Sequence, residues 1–284
     1  MAEFFVVDGS VDLSLAASYR GGTGPSAGDK IHILGGSQTI TVGPAVNLNA
    51  MFFGPNFRGN FSGTVECSSG TTPVLRVNAA GGYYNITAGA LAITTIEAAQ
   101  RSGELRVVSG TTTNLKAYSG TTYVDGAAVV TTIYNFGGTV NALAGAGTTT
   151  TFNSSAGVSN CRRTITTVNA DGSTFFSQLD NAVITTANVG GSATYRHNAV
   201  SSGTNPLTST LTTLNLAGRF RFLVAGALAN PIATTVNVNS RGYFQTRSGS
   251  VTLAYTTLNN NADATMVSEP SGGSGSGEQS FPID

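Results

Sequence analysis

The chain has no tryptophan, two cysteines, two histidines and three methionines in 284 residues, and charged side chains make up only 10% of it. Each scarcity excludes something. Two thiols far apart in sequence, Cys67 and Cys161, are no disulfide framework, so both are expected to be free. His32 and His197 each stand alone, and Tyr195-Arg196-His197 has no cysteine or acid at metal-ligand spacing. Neither a metal site, a cofactor nor a catalytic triad is expected from them. No apolar run approaches the ~20 residues that cross a bilayer as a helix. Without tryptophan the usual sugar-stacking platform is missing, which leaves nine tyrosines to substitute.

Lysine is nearly absent as well: Lys30 and Lys116 are the only two among 14 basic residues, the rest being arginine. Arginine suits packed, bidentate contacts and is enriched at interfaces. The 14 acidic residues bring the formal charge to zero. No long-range field then recommends nucleic acid or an anionic membrane as a partner. A chain without net charge also lacks colloidal repulsion, which suits residence within an assembly. Residues 1–8 have no basic n-region and too short an apolar run for a secretory signal, so a conventionally secreted adhesin is not expected.

What is abundant is glycine, 36 residues, with threonine, serine, alanine, valine and asparagine, and a hydrophobic share of 40%. That share excludes wholesale disorder, and the composition makes helix scarce. The abundant residues are ordered in a repeat. Thr212-Thr213-Leu214-Asn215, Thr234-Thr235-Val236-Asn237 and Thr256-Thr257-Leu258-Asn259 recur at 22 residues and again at 22. Drifting copies start at 94, 112, 131, 150, 166 and 185, so successive separations along the chain are 18, 19, 19, 16, 19, 27, 22 and 22. Short β-branched runs at such a period predict a solenoid, whose single coil cannot bury its own apolar face and must stack on the next. The variable separations suit an all-β, right-handed parallel β-helix with turn insertions.

The organisation expected is an N-terminal cap with first coils over 1–90, a repeat β-solenoid over 91–269, and a flexible Gly/Ser linker with a C-terminal arm over 270–284. Ile31–Leu34 and Gln38–Val42 read as a first coil or hairpin. The stretch 48–63 carries four phenylalanines and breaks the repeat, which predicts a plug at the solenoid end in preference to a contact surface. Counting ten residues on from each tetrad gives Phe222, Phe244 and Met266 as an inward column beside Leu214, Val236 and Leu258. The tetrad asparagines are expected to form a stacked turn ladder.

A glycosidase needs two carboxyls facing one another across the scissile bond. The acids within the repeats are Glu97, Glu104, Asp125, Asp171 and Asp180, with Asp263 and Glu269 near its end. Asp125-Gly126 and Asp171-Gly172 read as turns, and no enzyme is expected. The many glycine pairs lack a following helix, so they are turns and no phosphate loop.

Arg219 and Arg221 alternate with Phe220 and Phe222, which puts both guanidinium groups on the face opposite the aromatics. Arg241 is placed on the rung of Arg219 in the next coil. This stripe is one candidate partner contact. The other is Phe281-Pro282-Ile283, an apolar tip pre-extended by proline on a tether of seven glycines and serines.

The order Tyr19, Gly28-Asp29, Ile31-His32-Ile33, Gly35-Gly36, Ile40-Thr41, Phe53-Gly54-Pro55, Phe57 and Gly59, followed by Thr-Thr-apolar-Asn coils, resembles the β-solenoid structural proteins of tailed bacteriophages. The resemblance implies a virion component made in the host cytoplasm. Its expected role is a head decoration or cement protein binding neighbouring subunits, the major capsid protein first among them. The alternative is a tail-associated spike or fibre binding, with or without cleavage, a host surface glycan. Self-association into a homo-oligomer stays open.

Overall fold

The computed structural model describes residues 1–179, 182–200, 210–225, 232–239, 241–248, 251–252, 254–261 and 263–268. They are almost entirely parallel β-structure wound as a solenoid, and Ala16–Ser18 is the single helical turn among them. The chain divides into two units, Met1–Thr148 and Thr149–Asp284.

In the first unit parallel pairing begins at Glu3–Phe5 on Lys30–Gly36, continues to Ala50–Phe57, and passes on to Val74–Val77. Thr39–Ile40 pairs in parallel with Asn60–Cys67, so the runs on either side of Gly35-Gly36-Ser37 are two sides of one coil and make no hairpin. Side chains alternate across a strand, and the inward ones stack into columns. Ile31, Met51, Leu75 and Ile96 are one column, Ile33, Phe53, Val77 and Ala98 another, and all eight are buried. The phenylalanine-rich stretch does not interrupt the solenoid. Phe53 packs against Phe57, Phe61 and Tyr84 at centroid distances of 5.6, 5.3 and 5.1 Å inside the coils, because its spacing matches the strand period on two successive sides.

Coil corners in this unit bring backbone onto backbone. Gly103 has φ +85°, and a Cβ built on it would overlap the carbonyl oxygen of Gly82, which has φ +100° and itself meets Gly59 in the same way. Left-handed backbone is strained for residues with a Cβ, and the overlap adds to it. Gly103→Ala is therefore expected to cost about 2 kcal/mol or more. A urea midpoint equal to that of the parent protein would refute this account of the corner.

In the second unit the threonine-asparagine tetrads are strands. Thr151, Thr167, Thr186, Thr213, Thr235 and Thr257 share one outward column, and Val168, Ala187, Leu214, Val236 and Leu258 share an inward one. Leu214 and Val236 are fully buried, while Leu258 is half-buried. The asparagines form the expected ladder, on the strands instead of at turns. The Nδ2 of Asn169 donates to Asn153 Oδ1, and the same bond recurs from Asn188 to Asn169, Asn215 to Asn188, Asn237 to Asn215 and Asn259 to Asn237, at 2.7 to 2.8 Å. The offsets between rungs are 16, 19, 27, 22 and 22 residues, those of the sequence repeat.

The second inward column differs from expectation by two residues. Phe244 pairs with Phe220 and then Met266, whereas Phe222 pairs with His197. The corner from Leu216 to Arg219 spans residues 217–218, but the corner from Val238 to Tyr243 spans 239–242. A shift of two keeps every side chain on its own face, so alternation alone does not register it. Phe176, Tyr195, Phe220 and Phe244 thus form a continuous buried aromatic column, with centroid steps of 5.3, 5.8 and 5.3 Å, and Phe152 of the Val168 rung meets its end edge-on at 5.3 Å. Both cysteines are free and buried, and burial pushes each thiol up to about 12.

Candidate interaction surface

The arginine stripe lies on the strands that carry this aromatic column. In Arg219–Ala225, Phe220 is buried while Arg219 and Arg221 point outward. In Thr194–Val200, Tyr195 and His197 are buried and Arg196 points outward. Parallel register sets Arg196 beside Arg221 and Thr194 beside Arg219, so two guanidinium-bearing positions occupy adjacent rungs about 4.8 Å apart. Alternation within Arg219–Ala225 does not single out Arg196. The signal for it is Tyr195-Arg196-His197 itself, a cation flanked by two rings as in Phe220-Arg221-Phe222.

Two of the cations rest on aromatic rings. The Arg196 guanidinium carbon stands 4.4 Å from the centroid of Phe175, and that of Arg219 stands 5.1 Å from Tyr243. Such contacts hold a guanidinium flat on the surface with its donors free for a partner, each contributing about 0.5–1 kcal/mol when exposed. Arg241 is not on the Arg219 rung, which Tyr243 occupies. The longer corner leaves Arg241 in the turn at φ +68°, where it lines a depression of about 410 Å³ together with Arg219, Tyr243 and Thr194. The structure therefore brings Arg196, Arg219 and Arg221 onto neighbouring rungs and Arg241 to their margin. Phe281, Pro282 and Ile283 lie outside the described residues.

The carboxylates are placed differently. Glu97 lies between Arg76 at 2.6 Å and Lys116 at 3.9 Å, and Asp125 pairs with Arg106 at 3.0 Å. Asp125 belongs to a strand and not to a turn, since its outward position faces Arg106 one coil away. Asp171 also lies within a strand, Ile165–Leu179, but at the bend where its register to the preceding coil shifts, its Oδ1 accepting from Gly172 N at 2.8 Å with Gly172 at φ +63°. Asp180 and Glu269 lie outside the described residues. Among the described residues, the ion pairs join acids to Lys30, His32, Arg76, Arg106 and Lys116, and none includes Arg196, Arg219 or Arg221. No group of three or more His, Cys, Asp or Glu among them is placed to hold a metal ion.

Behind the stripe the core is polar at one point. Gln178 Oε1 accepts from Tyr195 Oη at 2.7 Å and lies 2.9 Å from His197 Nδ1, while Gln178 Nε2 donates to the carbonyls of Ala182 and Thr210, both at 2.9 Å. Burial lowers the His197 imidazole to about 4 and raises the Tyr195 phenol well above its ordinary value, with Cys161 adding to the latter. The network fixes the strand from which Arg196 projects. No family model, no curated protein and no solved structure matches the chain.

Proposed function

We propose that this chain is a structural protein of a tailed-bacteriophage virion, a decoration or cement protein on the head, that binds neighbouring subunits through its outer strand face. The observation that carries the reading is the stripe of Arg196, Arg219 and Arg221, whose charges no carboxylate among the described residues balances. Like charges on adjacent rungs repel, by about 1 kcal/mol in water and more where water is excluded. An acidic surface on a partner is the one that complements this stripe and relieves the repulsion. The remaining polar chemistry supports a structural role: the asparagines bond rung to rung, and Glu97 and Asp125 are held in ion pairs between coils.

The test is occupancy. Reversing two charges, R219E together with R221E, should leave the circular dichroism spectrum unchanged and lower the copies per purified particle at least tenfold, since juxtaposing like charges on an acidic patch costs several kcal/mol. Quantitative mass spectrometry of the particles reads the copy number. Hundreds of copies in the parent particle agree with a head lattice, and a handful overturns the head assignment. Undiminished occupancy of the double variant removes the arginine stripe from the interface.

A further inference from the structure

The outward face of the first unit carries a second, independent feature. Tyr118 and Phe136, 44% and 43% exposed, stack at 5.2 Å and 19°, and Tyr134 lies parallel to Phe136 at 5.9 Å and 9°. Phe136 thus covers one face of Tyr118. On the other face the column stops. Ser119 bonds to the Gln100 carbonyl across an offset of 19 residues, the offset that also joins Arg106 to Asp125. That offset sets Tyr118 beside Ala99 of the preceding coil, and Ala99 is too small to cover a ring. What remains is a depression of about 350 Å³ lined by Tyr118, Ala99, Asn78, Arg76 and Glu97. Its width is one coil, about 4.8 Å, the spacing at which a flat ring lies against Tyr118.

The rim is chemically specific. Arg76 and Lys116 share the single carboxylate of Glu97 and leave one positive charge over. Arg76 also lies 5.8 Å from the Phe52 centroid, which fixes its direction. A second depression, about 420 Å³ and lined by Thr71, Thr72, Thr94, Thr95 and Lys116, adjoins the first across the Arg76–Glu97 pair. A slot with one aromatic wall, an alanine floor, fixed hydrogen-bonding groups on its edge and a net cation calls for a ring with an apolar face, polar edges and a negative charge. An aliphatic or aromatic side chain answers neither the positive charge left over at Arg76 and Lys116 nor the Asn78 amide. A pyranose bearing a carboxylate answers them: its C–H face lies on Tyr118, its hydroxyls meet Asn78 and the remaining acceptor sites of Glu97, and its carboxylate meets Arg76, while Lys116 in the adjoining depression meets the carboxylate of the next sugar.

We propose that the missing rung at Ala99, between Tyr118 and the Arg76–Glu97–Lys116 row, is a binding site for an acidic oligosaccharide, with a uronate-type pyranose stacked on Tyr118 and a neighbouring sugar over Thr71 and Thr94. The site uses none of the residues of the arginine stripe, so its failure and that of the virion interface are read separately.

The experiment uses the full chain with trigalacturonate as the probe and maltotriose as the neutral comparison, read by saturation-transfer NMR and calorimetry. Trigalacturonate should bind at least tenfold more tightly than maltotriose, with saturation passing between the Tyr118 ring and the sugar C–H protons. Ala99→Phe, which supplies the missing ring and is compatible with a column of aromatics, should abolish binding while the circular dichroism spectrum stays that of the parent. Lys116→Ala should weaken trigalacturonate about tenfold and leave maltotriose unchanged. Undiminished binding by Ala99→Phe, or equal affinity for the two sugars, overturns the proposal, as does preferential binding of an acidic phenylalanine-containing peptide at the same slot.

Discussion

Truncating Phe220 to alanine is expected to be the most damaging single change in the second unit. Its ring is fully buried and lies between Tyr195 at 5.8 Å and Phe244 at 5.3 Å. Hydrogen-bonded parallel strands hold the rungs at a fixed spacing, so the neighbours cannot close over the space vacated. Removing a buried phenylalanine ring typically costs about 3–5 kcal/mol, and a site that cannot collapse belongs at the upper end. Because each coil is stabilised mainly by its neighbours, the loss should propagate as reduced cooperativity in the unit and go beyond a lowered midpoint. Near-UV circular dichroism in a urea titration follows the buried tyrosine of the column directly. A loss below about 0.5 kcal/mol, the range of surface substitutions, would mean that the column does not carry the packing.

Acidification should produce an effect of similar size through His197. Its folded-state value of about 4 lies below the ordinary 6.5 because burial disfavours the imidazolium. Between those two pH values the unfolded chain binds a proton that the folded chain does not. Stability is therefore complete above pH 6.5, falls as pH drops through the interval, and loses no more to this group below about 4. A tenfold difference in proton affinity between the folded and unfolded chain is worth about 1.4 kcal/mol, so the full interval amounts to about 3 kcal/mol. His197→Gln removes the titrating group while retaining a polar side chain, and should flatten this part of the profile. A slope that survives the substitution would assign the pH dependence elsewhere.

The repeat that organises the fold was legible because it is written in residue types that only one geometry reconciles. Threonine and asparagine outward, leucine and valine inward, at offsets reproduced by the rungs themselves, leave no other stacking. Corner lengths were not legible. Nothing in Ala217-Gly218 against the residues 239–242 states how many residues a turn takes up, and a two-residue difference is silent in a pattern of period two. The misplacement of Phe222 and of Arg241 has that one cause. The Phe53 cluster shows the converse limit: large rings between glycine and proline resemble an interruption, yet Pro55 falls at the register shift of Ala50–Phe57 against Lys30–Gly36, just past Phe53 where pairing with Val74–Val77 ends, so the missing N–H breaks no rung. Of the interaction surface, the alternation giving Arg219 and Arg221 was readable, while the adjacency of Arg196 depends on a coil offset of 25 residues that the tetrads do not share.

The asparagine ladder has a sense as well as a spacing. In each of the five bonds the Nδ2 donates toward the lower-numbered rung, so the carboxamide dipoles of the six asparagines point the same way and polarise one another along the row. Turning a single amide by 180° would set two oxygens face to face on one side of it and two NH₂ groups on the other, breaking two bonds while forming none. Only reversal of all six together keeps the five bonds. The row therefore takes its orientation as a unit, each bond donated toward the coil before it.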